Sequence, residues 1–173
     1  MTFALLRGSV AASLLYLGMQ AMAHAASQPL NIPNFDADSP ACAVAVNAEL
    51  YRCTAAACTV PMSKSPGARA VEVRLTCLPS SAPTGFENPA PGVKVTAIAA
   101  QNAKGQVSLI DELETGAAPP TSTLTFCLFG GAINLCGNVT VARARRGAKL
   151  DDVEAVQRFI RTLGLKTAPP QQP

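Results

Sequence analysis

The sequence predicts a mainly β, antiparallel, sandwich-like domain, stapled by disulfides and closed by one C-terminal amphipathic α-helix. Three observations predict it. Several segments alternate apolar and polar residues with the period of a half-buried strand. Near the C-terminus the period changes to that of a helix. Six cysteines follow an export leader, and an even set in an exported chain reads as a disulfide framework.

The leader spans residues 1–25. Arg7 supplies the positive n-region, Val10 to Gly18 the apolar h-region, and Ala23-His24-Ala25 a small-residue cleavage site. The h-region is too short for a bilayer span, which takes about 20 apolar residues. No later segment reaches that length without a charge or a proline, so no stable membrane span is expected after cleavage. The expected location is the periplasm or the exterior. Residues 26–41 are punctuated by proline and read as an extended lead-in. Residues 42–164 form one domain, long enough to bury its own core.

Strand signals come in sequence. Cys42, Val44, Val46, Ala48 and Leu50 share one face. Cys53 and Cys58 enclose four residues, a tight loop, and Lys64 to Gly67 is a turn. Val71, Val73, Leu75 and Cys77 again alternate with Glu72, Arg74 and Thr76. Four prolines mark residues 79–92 as a loop. Residues 93–100 and 106–113 read as a hairpin around Asn102 to Gly105, with Gly105 at the left-handed position. Residues 122–129 and 134–142 are the last two strands. Apolar residues on both faces of several strands favour two packed sheets. In residues 151–163, Val153, Val156, Phe159, Ile160 and Leu163 sit at helical spacing. Asp151 and Glu154 have the spacing of a capping box, and Gly164 is placed to end the helix. Residues 165–173 read as a disordered tail.

Strand parity narrows the 15 pairings that six cysteines allow. With the last two strands antiparallel, Cys127 faces Cys136, Leu124 faces Val139, Leu128 faces Leu135, and Phe126 covers Gly137. A one-residue slip would break both the bridge and the apolar face. The same reasoning pairs the first two strands side by side, Cys42 opposite Cys77 and Val44 opposite Leu75, with both cysteines on the apolar face and the bridge buried. Cys53 and Cys58 then close the short loop. On a loop-entropy model the 42–77 bridge contributes about 4 kcal/mol and the 127–136 bridge about 3 kcal/mol.

Catalytic chemistry is sparsely supplied. The only histidine, His24, lies in the leader, so the cleaved chain has no Ser-His-Asp triad and no histidine metal site. No C-x-x-C, phosphate loop or nucleophile elbow is present. Cys53-x4-Cys58 has half the ligands a zinc site needs, and export favours oxidation. Asp36-Ala-Asp38 lacks the remaining oxygen ligands of a calcium loop. No metal and no cofactor are implied. What remains for an enzyme is a histidine-free hydrolase, using the carboxylates Asp111, Glu112 and Glu114 or the adjacent Ser63 and Lys64.

The leading reading is therefore an exported, non-enzymatic binding or structural domain acting on a protein or cell-envelope partner. The formal charge of the whole chain is +3. Residues 143–173 hold seven Lys and Arg against three Asp and Glu, which gives this segment a preference for an anionic partner. The rest of the chain after the leader is slightly acidic, and no recognition motif is present, which excludes nucleic acid. Arg143, Arg145 and Arg146, just past the last strand, are the candidate contacts. Phe129 is the other. It falls on the face opposite Phe126 beside Gly130-Gly131, either packed under the C-terminal helix or exposed as a contact residue.

Overall fold

The computed structural model describes residues 27–32, 42–63, 67–111, 121–142 and 151–166. The leader, Asp36, Asp38, Lys64, Glu112, Glu114, Arg143, Arg145, Arg146 and residues 167–173 lie outside them.

Two antiparallel sheets and one helix make up the described chain. Strands β1 (Ser27–Ile32), β2 (Cys42–Asn47) and β10 (Gly164–Lys166) form the smaller sheet, with β2 central. The larger sheet holds β3 (Arg52–Cys53), β4 (Ala57–Pro61), β5 (Ala70–Pro79), β6 (Lys94–Ala99), β7 (Lys104–Asp111), β8 (Thr121–Phe129) and β9 (Ile133–Ala142). Its order is β3-β4-β5-β9-β8-β7-β6. Helix α1 (Asp151–Thr162) packs on β4 and β9. Among the described residues no helix is long and apolar enough to cross a membrane.

The sandwich is uneven. One layer is the seven-stranded sheet. The other is the small sheet together with α1, and a single core joins them. Ile32, Val44 and Val46 from the small sheet meet Val73, Leu75, Leu124, Phe126 and Val139 from the large one. Val156, Phe159, Ile160 and Leu163 complete it from the helix side, all fully buried. Alternation produced this directly, because successive strand residues point to opposite faces.

The expected register of the last hairpin is the observed one. Cys127 pairs with Cys136, Leu128 with Leu135, Leu124 with Val139 and Phe126 with Gly137. Gly131 turns the tip at φ +82°, in the left-handed region that glycine enters without steric cost. All three disulfides form as parity suggested: Cys42–Cys77, Cys53–Cys58 and Cys127–Cys136.

One pairing is corrected. β2 and β5 are not neighbours: β2 lies between β1 and β10, and β5 between β4 and β9. The buried Cys42–Cys77 bridge, with its Cα atoms 6.0 Å apart, joins sheet to sheet. Parity says which face of a strand is apolar. It does not say whether the matching face lies beside it in a ladder or across the core from it.

Two glycines are also corrected. The β6–β7 loop is residues 100–103, because Ala99 already pairs with Lys104. Gly105 lies inside β7, where a Cβ would run into the Cys127 carbonyl oxygen and come within 2.8 Å of a Leu128 methyl. It is glycine because β8 passes so close. Gly164 opens β10 instead of capping the helix. A Cβ there would reach 3.0 Å from the Gln101 amide oxygen and 3.4 Å from the Ala45 Cβ. The capping box rests on Asp151, whose side chain lies outside the described residues.

Four strands were not expected: β1 inside the lead-in, the two-residue β3, β4, and β10 at the start of the expected tail. β1 carries Pro29, which suits the edge position it takes. β10 is held by a loop far away in sequence. Asn102 donates from Nδ2 to the Leu165 carbonyl at 2.6 Å and accepts from the Leu165 amide at 2.8 Å. Gln101 N–H adds a bond to the Leu163 carbonyl at 3.0 Å.

The face of the large sheet turned away from α1 has its own small cluster. Phe86, from the proline-rich loop, covers the Cys127–Cys136 bridge, with Leu78 and Val95 alongside. Glu87 fastens that loop. Its carboxylate accepts from Thr84 N and Thr84 Oγ1, both at 2.8 Å, and from Gly85 N at 2.9 Å.

Candidate binding groove

A concavity among the described residues lies between α1 and the turn that follows β2. Its construction begins with Asn47. The Asn47 carbonyl accepts from Leu50 N at 3.2 Å and from Tyr51 N at 3.0 Å. Its side-chain oxygen accepts from Glu49 N at 3.0 Å, an arrangement Asn favours because its side chain mimics a backbone turn. The turn lifts Leu50 to the surface, 55% exposed, and points Tyr51 back toward the helix.

The tyrosine ring meets Phe159 edge to face, with centroids 4.8 Å apart and planes at 72°, a preferred aromatic geometry. Phe159 is itself fully buried, so the floor of the groove rests on the main core. Burial pushes the Tyr51 hydroxyl pKa above its ordinary value, opposed by a hydrogen bond with Thr162 and by the nearby charge of Arg158. The phenol is therefore a neutral donor at physiological pH. Thr162 Oγ1 donates to the Phe159 carbonyl at 2.7 Å, which holds the hydroxyl at the end of the helix.

The walls combine apolar and cationic groups. Leu50, Pro61 and Ala155 line the apolar part, while Arg158, Arg161 and Thr162 line the polar part. The cavity measures about 810 Å³, within the roughly 300–1,000 Å³ of small-molecule sites. Arg158 and Arg161 share a helix face because residues three apart are neighbours there. Arg158 has a distant partner in Glu154, 3.8 Å away and solvent-exposed. Among the described residues Arg161 makes no ion pair. On the other side of the helix start, Asp152 pairs with Arg69 and accepts from Ala142 N at 3.3 Å, which ties α1 to β9.

Of the residues singled out by sequence, Arg143, Arg145 and Arg146 lie outside the described residues, and Phe129 and Asp111 fall elsewhere. Phe129 ends β8 beside the glycine tip, 39% exposed, on the sheet face turned away from α1. Its packing under the helix is thus overturned: Phe126, one strand face over, takes the buried place. Asp111 Oδ1 accepts from the buried Ser122 hydroxyl at 2.7 Å at the end of the β7–β8 ladder. Ser63 lines the groove. Among the described residues no group of three or more His, Cys, Asp or Glu is placed to hold a metal ion. Tyr51, Leu50 and Thr162 were missed. Tyr51 sits at the end of a strand signal, and nothing in its spacing announces an aromatic contact across more than a hundred residues of chain.

No family model, curated protein or solved structure matches the chain.

Proposed function

We propose that the chain is an exported, non-enzymatic binding domain acting on a protein or cell-envelope partner, and that the α1 groove is where it binds. The observation that supports this is the groove itself: an open cavity with an exposed leucine, a neutral phenol and two guanidinia along one wall. Of the carboxylates named for hydrolysis, Asp111 is engaged by Ser122 at the far end of a strand ladder, and Glu112 and Glu114 lie outside the described residues. Three disulfides and a continuous core supply the rigid support a binding surface needs. The leader supports export, and the disulfides accord with an oxidising compartment.

Two measurements test the reading. Intact mass of the protein recovered from outside the cytoplasm is expected to begin at or near Ala26. A full-length chain found only in the cytoplasm would overturn export. In a pull-down from envelope extract, Leu50→Asp is expected to lose components that the unaltered protein retains. Retention unchanged by Leu50→Asp, in a variant that keeps its far-ultraviolet spectrum, would remove the groove from the proposal.

A further inference from the structure

We infer that the groove takes a free single-chain amphiphile with one carboxylate head, its apolar chain along Leu50, Pro61 and Ala155 and its head at Arg158 and Arg161. The inference rests on the binding-domain reading and names its ligand class. The division of the walls carries the first half. Leu50 stands in water with more than half its surface exposed, beside the apolar Pro61 and Ala155, and an apolar chain laid there would remove this surface from solvent. Charge carries the second half. Glu49 also lines the groove and Glu154 lies 3.8 Å from Arg158, so Arg161, which makes no ion pair among the described residues, is the guanidinium open to one carboxylate. The last turn of α1 adds the negative end of the helix dipole, which weighs against a doubly charged head. Arginine presents a planar pair of donors that fits a carboxylate.

The chain carries its own reporter. It has no tryptophan and two tyrosines, Tyr16 in the leader and Tyr51 in the groove, so subtracting the emission of Tyr51→Phe isolates the groove signal. Decanoate below its micelle concentration is titrated against the protein, with decanol and decyltrimethylammonium as neutral and cationic counterparts. A saturable change in Tyr51 emission is expected with decanoate, weaker binding with decanol, and weakest with the cation. Arg158→Gln with Arg161→Gln is expected to weaken decanoate about tenfold, the size of two partly exposed ion-pair contacts, and to leave decanol unchanged. Both arginines are exposed, so the double variant is expected to keep its far-ultraviolet spectrum and its urea midpoint. Equal affinity for decanoate and decanol would overturn the carboxylate head. No saturable response from the folded protein would overturn the ligand class. So would sedimentation with anionic lipid vesicles without a response to free decanoate. If decanoate fails while Leu50→Asp still abolishes capture of an envelope component, the ligand class falls and the binding domain stands.

Discussion

Gly137→Ala probes the strand pair on which the larger sheet is centred. Gly137 lies on β9 between Leu75 of β5 and Phe126 of β8. A Cβ at this position would lie 2.6 Å from the Arg74 carbonyl oxygen, 2.6 Å from Phe126 Cε1 and 2.7 Å from Phe126 Cζ. Neither obstacle can give way cheaply. The carbonyl belongs to the backbone of β5, and the ring is fully buried, one of the largest side chains in the core. Overpacking of this kind costs about 1–3 kcal/mol. Replacing a strand glycine returns roughly 0.5–1 kcal/mol of backbone entropy, but two independent clashes place the gross cost at the upper end. The expected net loss is about 2 kcal/mol, or about 4–8 °C in Tm for a domain of this size. Urea denaturation with an unchanged m-value would measure it. Phe126→Leu in the same chain removes the ring, so Gly137→Ala is expected to cost distinctly less there, a coupling a double-mutant cycle reads directly. A neutral or stabilising Gly137→Ala would refute the argument. An equal cost in both backgrounds would assign the whole penalty to the Arg74 carbonyl and remove the ring from it.

Three further outcomes are expected. Ile160→Ala, at a fully buried position on α1, should cost about 2–5 kcal/mol in urea denaturation, against less than about 0.5 kcal/mol for the exposed Arg161→Ala; equal, negligible effects would mean that the helix does not depend on the sheet. Replacing Cys42 and Cys77 together by alanine should cost about 4 kcal/mol by loop entropy, and a loss under about 1 kcal/mol would mean that the two sheets hold together without their bridge. Backbone and side-chain hydrogen bonds from Thr84 and Gly85 hold the exposed Glu87 carboxyl at about 2, below its ordinary 4.5. A depressed folded value stabilises above the unfolded pKa and loses that stabilisation as pH falls. The rate of phosphine reduction of Cys127–Cys136, screened by Phe86 on the same loop, divided by the Glu87→Gln rate at the same pH so that protonation of the phosphine cancels, should therefore rise toward one as pH drops from about 4.5 toward 2. Glu87→Gln should be the faster of the two at neutral pH; a ratio that ignores pH across that window would detach the turn from the bridge.

What was legible in the sequence is what period-two patterning encodes. The β8–β9 register could be read because two constraints coincided: a slip that separated Cys127 from Cys136 would also turn Leu124 and Leu128 out of the core. The stripe of α1 was readable for the same reason, since Val156, Phe159 and Ile160 leave it only one buried face. Gly105 and Gly164 misled because glycine has two uses. Both positions read as turn or cap chemistry, whereas each allows another strand or loop to approach. Which use applies depends on residues far along the chain, Cys127 in one case and Gln101 in the other.

The groove was invisible for a deeper reason than its small number of residues. Pattern reading detects repetition, and repetition arises where many side chains face one core. A binding surface is built where repetition stops: the turn after β2, the end of β4, the last turn of α1. Tyr51 interrupts the alternation begun at Cys42, and Arg158 and Arg161 fall on the helix face that patterning assigns to solvent. The excess of basic residues in 143–173 was nevertheless a usable signal. Arg143, Arg145 and Arg146 stand together in sequence, while the helical spacing of Arg158 and Arg161 brings those two to one wall beside apolar residues. Under the proposal the basic segment is kept, and helical periodicity within it selects Arg158 and Arg161 in place of the run at 143–146. Comparing Arg143→Ala, Arg145→Ala and Arg146→Ala together with the Arg158→Gln, Arg161→Gln chain would separate the two. Loss of decanoate binding in the second chain alone is the expected result, and loss in the first alone would move the anion site off the helix.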